Sequence, residues 1–315
     1  MTALRIVFCG TPEFAVPSLR RLAERPDFSI EAVITQPDRP RGRGQHVSSS
    51  PVKEAALELG LHVYQPETIK SESAQEFLKR VAPDAVVIIA YGQIIPARLL
   101  PIPKHGWINL HASLLPKYRG AAPIQWAIVN GEKVTGVTTM QINAGLDTGD
   151  ILLARETTID PDETAVDLSA RLARMGAELL VETLDGLSRA AIAPQKQDDA
   201  QASLAPILKK EDGAIHWIEP AAALHNRVRG LVPWPGGHTR FRSQLLHIWR
   251  SRLTADHLAL PPGRVVSGPG FRVACGDGVV LDLIEVQLEG RKRMTGEAFA
   301  NGQRLNENDI LGEPH

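Results

Sequence analysis

This chain of 315 residues contains little cysteine and almost no net charge. Its two cysteines, Cys9 and Cys275, are far apart and form no CxxC pair. That spacing argues against a zinc site built on cysteine and against a disulfide framework, and it favours two buried thiols in a reducing cytosol. The formal net charge is −1, so the total charge does not indicate a polyanionic partner. Evidence for such a partner must come from local patches.

Long apolar runs and nucleotide-binding fingerprints are also missing. No run approaches the roughly 18 apolar residues that cross a bilayer, and the chain enters a predicted strand at LRIVFCG, so we expect no targeting segment and a cytoplasmic location. CGTPEF follows that strand in place of GxGxxG, GRGQHV (Gly42–Val47) lacks the third glycine, and no P-loop occurs. Hydride transfer and nucleotide hydrolysis are therefore poorly supported.

The first half of the chain alternates apolar runs with helical patterns. We predict strands at LRIVFCG, IEAVIT, AVVIIA, WINLH, GVTTMQIN and DILLARETTI, and helices at PVKEAALELG and over Glu163–Leu187. This alternation indicates an α/β fold, with a doubly wound, mostly parallel, Rossmann-like sheet.

The pattern changes after Leu187. Residues 190–207 are rich in Ala, Gln, Asp and Pro and lack periodicity, whereas short strands separated by Gly and Pro follow residue 208. Closely spaced short strands indicate a smaller β-barrel, which we expect to be OB-like. The sequence therefore predicts a catalytic domain over 1–189, a linker over 190–207 and a C-terminal domain over 208–315.

Three polar residues of the first half could converge on one point. Asn109 and His111 are two apart on a predicted strand, so they face the same side, at the carboxyl end where open α/β sheets bind ligands. Asp147 lies in NAGLDTGD between two further strands, and Gly145 and Gly149 would let that loop turn close to the site. The amide and imidazole can bind an oxyanion, and the carboxylate can orient the imidazole or take a proton through water. The set suits acyl transfer to an amine.

Each of these residues alone has an ordinary structural explanation, because His111 could be a core residue, Asn109 a cap and Asp147 a strand terminator. No nucleophilic serine or cysteine accompanies them, since Ser113 is not part of a GxSxG elbow. We therefore expect the acceptor amine itself to attack.

The combination of NLHASLLPKYRGAAP with GLDTGDIL resembles the folate-dependent formyltransferases. FCGTPEFAVPSL, QPDRPRGRG and ILKKEDGAIHW extend the resemblance over both predicted domains. It implies transfer of a formyl group from 10-formyltetrahydrofolate, without a metal, to the α-amine of methionine on initiator tRNA. It assigns the catalytic roles to Asn109, His111 and Asp147. It assigns the folate side of the pocket to Ser113, Leu114, Leu115 and Pro116.

Two basic patches give separate support for an RNA partner. The connection after the second strand is long, because roughly 2–6 residues are usual there, and it contains Arg39, Arg41 and Arg43 against Asp38 alone. A solvated loop is the alternative. The second patch holds eight arginines and one acidic residue between Arg227 and Arg272, and two lysines precede it. From these patches we expect tRNA contacts at Arg39, Arg41, Arg43, Lys209, Lys210, Arg240, Arg242, Arg250 and Arg252.

The spacing of four of these arginines predicts one basic face. Arg240 and Arg242 are two apart, as are Arg250 and Arg252, so each pair would share one side of a strand. Ile248 shares parity with Arg250, so the pattern also predicts a bend or bulge there.

Two other functions stay open on sequence grounds. A formyltransferase for a small amine, such as a sugar nucleotide or glycinamide ribonucleotide, would share the first domain and its three polar residues. A folate- or RNA-binding module without catalysis would not need those residues. We also expect a monomer.

Overall fold

The computed structural model describes residues 3–41 and 46–312. The chain separates into two compact units. The first comprises Met1–Gly120, Thr135–Thr157 and Ser169–Leu204, and the second comprises Ala121–Val134, Thr158–Leu168 and Ala205–His315. The second unit thus includes two segments that precede residue 189. The division of the chain at residues 189 and 207 stays a prediction.

The strands and helices have the following bounds. The strands are β1 Leu4–Gly10, β2 Phe28–Ile34, β3 Arg39–Arg41, β4 His46–Ser48, β5 Val63–Tyr64, β6 Ala85–Ile89, β7 Trp107–His111, β8 Arg119–Gly120, β9 Val134–Gln141, β10 Ile151–Thr158, β11 Leu204–Ala205, β12 Gly237–Phe241, β13 Gln244–His257, β14 Val265–Val266, β15 Arg272–Ala274, β16 Val279–Leu288 and β17 Met294–Thr295. The helices are α1 Val16–Ala23, α2 Pro51–Glu58, α3 Glu72–Val81, α4 Pro123–Val129, α5 Ala165–Ser188, α6 Ala221–Gly230 and α7 Gly296–Gln303.

The first unit is built on a seven-stranded sheet in the order β10-β9-β7-β6-β1-β2-β5. β1 pairs in parallel with β2 and β6, β2 with β5, and β6 with β7, whereas β9 runs antiparallel to β7. The predicted mostly parallel, doubly wound sheet is confirmed. The strand order reverses between β1 and β6, which creates a crevice at their carboxyl ends.

The central strands are continuous apolar runs because both faces of the sheet are covered. Val7 and Cys9 of β1 belong to a core cluster that includes Phe77 and Leu78 of α3. Residues of β1 with the opposite parity, such as Phe8, are also fully buried. All five residues of β6 are buried as well. This burial fixes β6 and its neighbour β7, whose carboxyl end carries the predicted polar pair.

Helix termini follow the local capping signals. The side chain of Ser50 accepts a hydrogen bond from Lys53 N at the start of α2, and Pro51 occupies the first turn of that helix, where no intrahelical donor is needed. Ser71 caps α3 in the same way, by accepting from Ala74 N. The helix predicted at PVKEAALELG is therefore confirmed, together with the chemistry that starts it.

The second unit contains an antiparallel sheet in the order β12-β13-β16-β15-β14, with β17 paired to β16. Phe241 in β12 forms a bridge with Leu311, and Arg264 beside β14 forms one with Ile310. The end of the chain thus joins the two edge strands, and the sheet closes towards a barrel around a core of aromatic and aliphatic side chains. The predicted smaller β-domain is confirmed.

None of the helices in the described part of the chain is both long and apolar enough to cross a membrane.

A buried histidine joins α6 to a segment of the same unit that is distant in sequence. His225 is 4% exposed. Its Nε2 lies 3.2 Å from Pro161 O and 3.3 Å from the Asp162 carboxylate, and its Nδ1 lies 3.0 Å from Ser251 Oγ. Burial lowers the pKa of His225, and the charge of Arg229 acts in the same direction. Folding therefore favours the neutral form of this ring.

Replacing His225 with Gln should flatten the acid dependence of stability. The pKa of this histidine is lower in the folded protein than its value of about 6.5 in the unfolded chain. The unfolded chain therefore binds the proton first, and the protein loses stability as the pH falls below about 6.5 towards the folded pKa. One such group adds at most about 1.4 kcal/mol per pH unit to the slope of the free energy of unfolding against pH. Denaturant unfolding between pH 7.5 and 5 of wild type and variant would measure the difference. Equal slopes would contradict a neutral, buried His225.

Candidate active site

Asn109 and His111 lie at the carboxyl end of β7, on one side of the strand as predicted. Asn109 pairs with Ile88 of β6 and Met140 of β9, and His111 pairs with Thr138. His111 is 6% exposed, whereas Asn109 is half-buried. The Asn109 side-chain amide forms no hydrogen bond to any residue that the structure describes. Its donors therefore remain available to a ligand.

The imidazole of His111 is oriented by the loop that follows β7. Its Nε2 lies 2.9 Å from Tyr118 O, and only a donating nitrogen can bond to a carbonyl. The neutral ring therefore carries its hydrogen on Nε2 and its lone pair on Nδ1. That Nδ1 lies 3.7 Å from Asp147 Oδ2. A proton arriving at Nδ1 would therefore face the Asp147 carboxylate.

Asp147 is placed by backbone contacts. Its Oδ2 accepts a 2.9 Å hydrogen bond from Gly120 N, and the residue adopts φ 51°. The loop is stabilised internally, because Asn143 Oδ1 accepts from Gly145 N and from Thr148 Oγ1. Asp147 thus lies in a loop between β9 and β10, two strands of the same sheet, with its carboxylate next to His111. The convergence of Asp147 with Asn109 stays a prediction.

Gly149 is required at this loop for steric reasons. A Cβ there would lie 1.6 Å from Gln141 O, and a Cβ at Gly145 would lie 2.1 Å from Thr148 Oγ1. The first of these clashes is with backbone and cannot be relieved by a side-chain rotation. Close approach, rather than an unusual dihedral angle, explains Gly149.

Arg119 and Gln197 belong to the site, and sequence reasoning missed them. Arg119 is buried, and its guanidinium donates to Gln197 Oε1 at 3.0 and 2.7 Å and to Asp199 Oδ1 at 2.7 Å. Gln197 Nε2 donates to Asp147 O at 2.8 Å and to Gly149 O at 2.7 Å. Arg119 follows the quoted SLLPKY motif, but no spacing signal marks Gln197, which lies in the predicted linker.

The stretch assigned to the folate by resemblance is a tightly bonded turn. Ser113 Oγ donates to Lys117 O at 2.6 Å, and Thr138 Oγ1 donates to Ser113 O at 2.7 Å. Leu115 N donates to Thr138 Oγ1 at 3.2 Å, and the Leu115–Pro116 peptide bond is cis. Leu115 is buried, while Leu114 and Pro116 are half-buried. The turn places two partly exposed apolar side chains directly after His111.

A cavity of about 470 Å³ lies at the carboxyl ends of the neighbouring strands. It is lined by residues that follow β1, β2 and β6, among them Thr11, Gln36, Arg39 and Gln93. Asn109, His111 and Asp147 are not among its lining residues. Its position is the crevice created by the reversal of strand order. Sequence reasoning placed Arg39 at this edge but did not identify the two glutamines.

The structure describes the side chains of only some of the basic residues predicted to contact tRNA. Arg39 is exposed at the cavity, whereas Arg43 and the side chain of Arg41 lie outside the described residues. Lys209 and Lys210 are exposed in or beside a short turn of 3₁₀ helix. Their contacts with RNA stay a prediction.

The predicted basic face of four arginines is wrong in one part. Arg242 lies in the turn after β12, at φ 47°, so it does not share a strand face with Arg240. Arg242 pairs with Asp309 at 2.8 Å and Arg252 with Asp282 at 2.8 Å, so carboxylates compensate two of the four arginine charges. The bulge predicted beside Arg250 is confirmed, because the register of β13 shifts on both sides of it.

A metal centre is not evident among the described side chains, which contain no group of three or more histidines, cysteines and carboxylates that could hold an ion.

Two family models match the chain. The formyl transferase model covers residues 4–184, and the formyl transferase C-terminal domain model covers residues 207–304. The chain belongs to the formyl transferase family. It is 59% identical to a methionyl-tRNA formyltransferase of Solibacter usitatus, over 99% of this chain and 100% of the relative. It is 52% identical to a methionyl-tRNA formyltransferase of Koribacter versatilis, over 98% of each.

Solved structures of formyltransferases share the fold. A sugar 3N-formyl transferase crystallised with dTDP and 5-N-formyl-THF superposes with a TM-score of 0.69, at 20% identity, over 93% of this chain and 100% of that one. The N-formyltransferase of Helicobacter canadensis, in complex with folinic acid and dTDP-3-aminofucose, gives 0.68 at 21% identity, over 90% and 99%. At these identities the likeness supports the architecture alone.

Replacing Gly149 with Ala should impair formyl transfer by displacing Asp147. The added methyl group forces the backbone of the loop away from Gln141. A displacement near 1 Å can cost about 100-fold in rate, so we expect turnover to fall by about 10–100-fold. Steady-state turnover and thermal unfolding of the variant would test this.

The matched control is the replacement of Gly302 with Ala. A Cβ at Gly302, inside α7, would meet nothing within 4 Å. Alanine is the better helix former by roughly 1 kcal/mol, so this variant should keep full activity and equal or greater stability. A Gly149 variant that behaves like this control would show that the loop tolerates the displacement.

Proposed function

We propose that this protein transfers a formyl group from 10-formyltetrahydrofolate to the α-amino group of methionyl-tRNA. The observation that carries the proposal is similarity at 59% and 52% identity over nearly the whole chain to proteins of that activity. The geometry at the end of β7 supplies the chemistry that the reaction needs. Formyl transfer to an amine requires a donor for the developing oxyanion and an acceptor for the proton of the attacking nitrogen.

Asn109 is the proposed oxyanion donor. Its amide is half-buried and has no hydrogen-bond partner among the described residues, so its N–H groups are available to the formyl oxygen. His111 already donates from Nε2 to Tyr118 O, so its neutral form offers no second donor. Its Nδ1 becomes a donor only after protonation. The sequence-based assignment of both residues to the oxyanion therefore applies to Asn109 throughout and to His111 after proton transfer.

His111 and Asp147 are the proposed proton-transfer pair. A neutral α-amine, whose pKa is near ~8, attacks the formyl carbon and forms a tetrahedral intermediate. The proton released from the nitrogen moves to His111 Nδ1, directly or through water, and Asp147 at 3.7 Å stabilises the resulting imidazolium. That proton can then pass to the departing folate nitrogen. The carbon–nitrogen bond of the donor breaks as the formyl amide of the acceptor is completed.

Among the described residues, neither Ser113 nor a cysteine is poised as a competing nucleophile. The hydroxyl of Ser113 is donated to Lys117 O. Burial raises the pKa of Cys275 to about 12 and raises that of Cys9 still further, so neither thiol is ionised near neutral pH. Direct attack by the acceptor amine is therefore the mechanism that the described residues support.

The folate is proposed to lie against Ser113, Leu114, Leu115 and Pro116. Since the Ser113 hydroxyl already donates to Lys117 O, the apolar side chains supply the contact surface of this turn. The tRNA is proposed to contact the connection containing Arg39, Arg41 and Arg43, the pair Lys209 and Lys210, and the barrel. We further propose that the protein acts as a monomer in the cytoplasm.

A small amine is the alternative acceptor. The solved sugar formyltransferases share the fold, but at 20–21% identity they carry no information about the acceptor. Transfer of labelled formyl from the folate donor, with methionyl-tRNA and a sugar nucleotide amine in competition, decides between the two. Preferential labelling of the sugar would overturn the proposed acceptor and leave formyl transfer intact.

Alanine at Asn109, His111 or Asp147 should depress the transfer step far more than tRNA binding. Loss of one oxyanion donor can cost about 100–1,000-fold. Single-turnover transfer rates at saturating methionyl-tRNA, together with filter binding of the tRNA, separate the two effects. Near-normal transfer in the His111 variant would remove His111 from the mechanism.

Arg250 and Arg252 form a matched pair for testing phosphate contacts on the barrel. Both are exposed on β13, but only Arg252 has a carboxylate partner among the described side chains, in Asp282. Each phosphate contact adds roughly 0.7–0.9 to the slope of log affinity against log salt. Arg250→Ala should reduce the magnitude of the slope by about that amount and Arg252→Ala by less. Unchanged slopes in both variants would exclude this stretch of β13 from the tRNA site.

A further inference from the structure

Gln197 is the one residue of its stretch whose side chain is drawn inwards. Residues 193–201 are otherwise exposed, and Gln197 alone among them is half-buried. A solvated linker has no need for such a residue. Its carboxamide reaches the loop that carries Asp147.

All of the hydrogen-bonding capacity on both sides of this carboxamide is used. Nε2 donates to Asp147 O at 2.8 Å and to Gly149 O at 2.7 Å. Oε1 accepts two hydrogen bonds from the guanidinium of Arg119. Because a cation lies on the oxygen side and two carbonyls lie on the nitrogen side, only one orientation of the amide satisfies every partner.

The chain beside Arg119 holds the side chain of Asp147, whereas Gln197 holds its backbone. Gly120, next to Arg119, donates its N–H to the Asp147 carboxylate at 2.9 Å. Gln197 binds the carbonyl of the same residue. Asp147 is therefore fixed at its carboxylate and at its backbone by neighbours that are themselves bonded together.

The connecting segment also reaches the partner of His111. Ser203 Oγ accepts from Tyr118 N at 2.9 Å, and Ser203 O accepts from Arg119 N at 2.8 Å. Tyr118 O is the group that orients the His111 ring. Residues 197–203 are thus bonded to Asp147 and to Tyr118, the residue whose carbonyl orients His111.

We propose that Gln197 is a positioning residue for formyl transfer, which sets the distance between Asp147 and His111 through the Asp147 and Gly149 carbonyls. Gln197 does not touch either substrate in this proposal, which rests on the proposed function. The stretch predicted as a linker is consequently part of the catalytic structure. A cost in the rate of transfer, rather than in substrate binding, follows from this role.

The first experiment compares Gln197→Ala with Gln201→Ala. Gln201 lies in the same stretch and is exposed, and among the described residues its side chain donates to Asp198 Oδ2 alone, so it controls for loss of a glutamine near the site. We expect kcat to fall by about 10–100-fold for Gln197→Ala, the scale of a displacement near 1 Å. The KM values for the folate and for methionyl-tRNA should stay within about two-fold. A kcat equal to that of the control would overturn the proposal.

Two further variants guard against a simple loss of folding. Gln197→Met keeps the length of the side chain but has no amide, and it should show the same loss of kcat. Gln197→Glu retains the acceptor for Arg119 but presents oxygen to two carbonyls, so it should be at least as impaired. Thermal unfolding of each variant establishes that the folded protein is being assayed. Full turnover in either folded variant would contradict positioning by the carboxamide.

A double-mutant cycle with Asp147→Asn tests whether Gln197 acts through Asp147. If it does, Gln197→Ala should cost less than about three-fold in single-turnover rate once Asp147 is already Asn, because coupled residues are not additive. An undiminished loss in that background would show that Gln197 acts elsewhere. If the wild-type protein formylates a small amine and not methionyl-tRNA, the proposed acceptor fails, and the same cycle is then read with that amine.

Discussion

The hydrogen bond from Gly120 N to the carboxylate of Asp147 is the contact on which the candidate site depends. It fixes a charged group of the β9–β10 loop against the chain that follows β7, and so holds that group 3.7 Å from His111. Burial of a carboxylate is costly unless it is hydrogen-bonded. The backbone donor at Gly120 meets that cost, and the Arg119–Gln197 pair holds the backbone of the same loop.

Much of this site could be predicted from local periodicity. The alternation of side chains along a strand placed Asn109 and His111 together, and the run of strands placed Asp147 at the same edge of the sheet. Gln197 could not be found in this way. In an aperiodic stretch, the sequence does not show whether a polar side chain points into the protein or into solvent. Arg242 was misplaced for a related reason, since strand parity ends where a turn begins, and that boundary is set by pairing between strands.

The catalytic residues lie in one unit, whereas the proposed tRNA contacts are spread over both units. The catalytic geometry lies wholly in the first unit, where the sheet, the Asp147 loop and the stretch around Gln197 meet. The proposed tRNA contacts involve Arg39 beside the cavity at the strand reversal, together with basic residues of the second unit. Of the four barrel arginines proposed to contact the tRNA, Arg242 and Arg252 are already paired with carboxylates, so charge alone does not define a binding face there. Exposed cations that have no carboxylate partner among the described side chains, such as Arg250, are the better candidates.

The central claim is that the formyl group passes directly from the folate to the acceptor amine, without a formyl-enzyme intermediate. Rapid quenching of the protein with labelled donor, in the absence and presence of methionyl-tRNA, tests it most directly. Direct transfer predicts no label on the protein in either case, and label on the tRNA only when both substrates are present. Label bound covalently to the protein, and transferred when methionyl-tRNA is added, would contradict it.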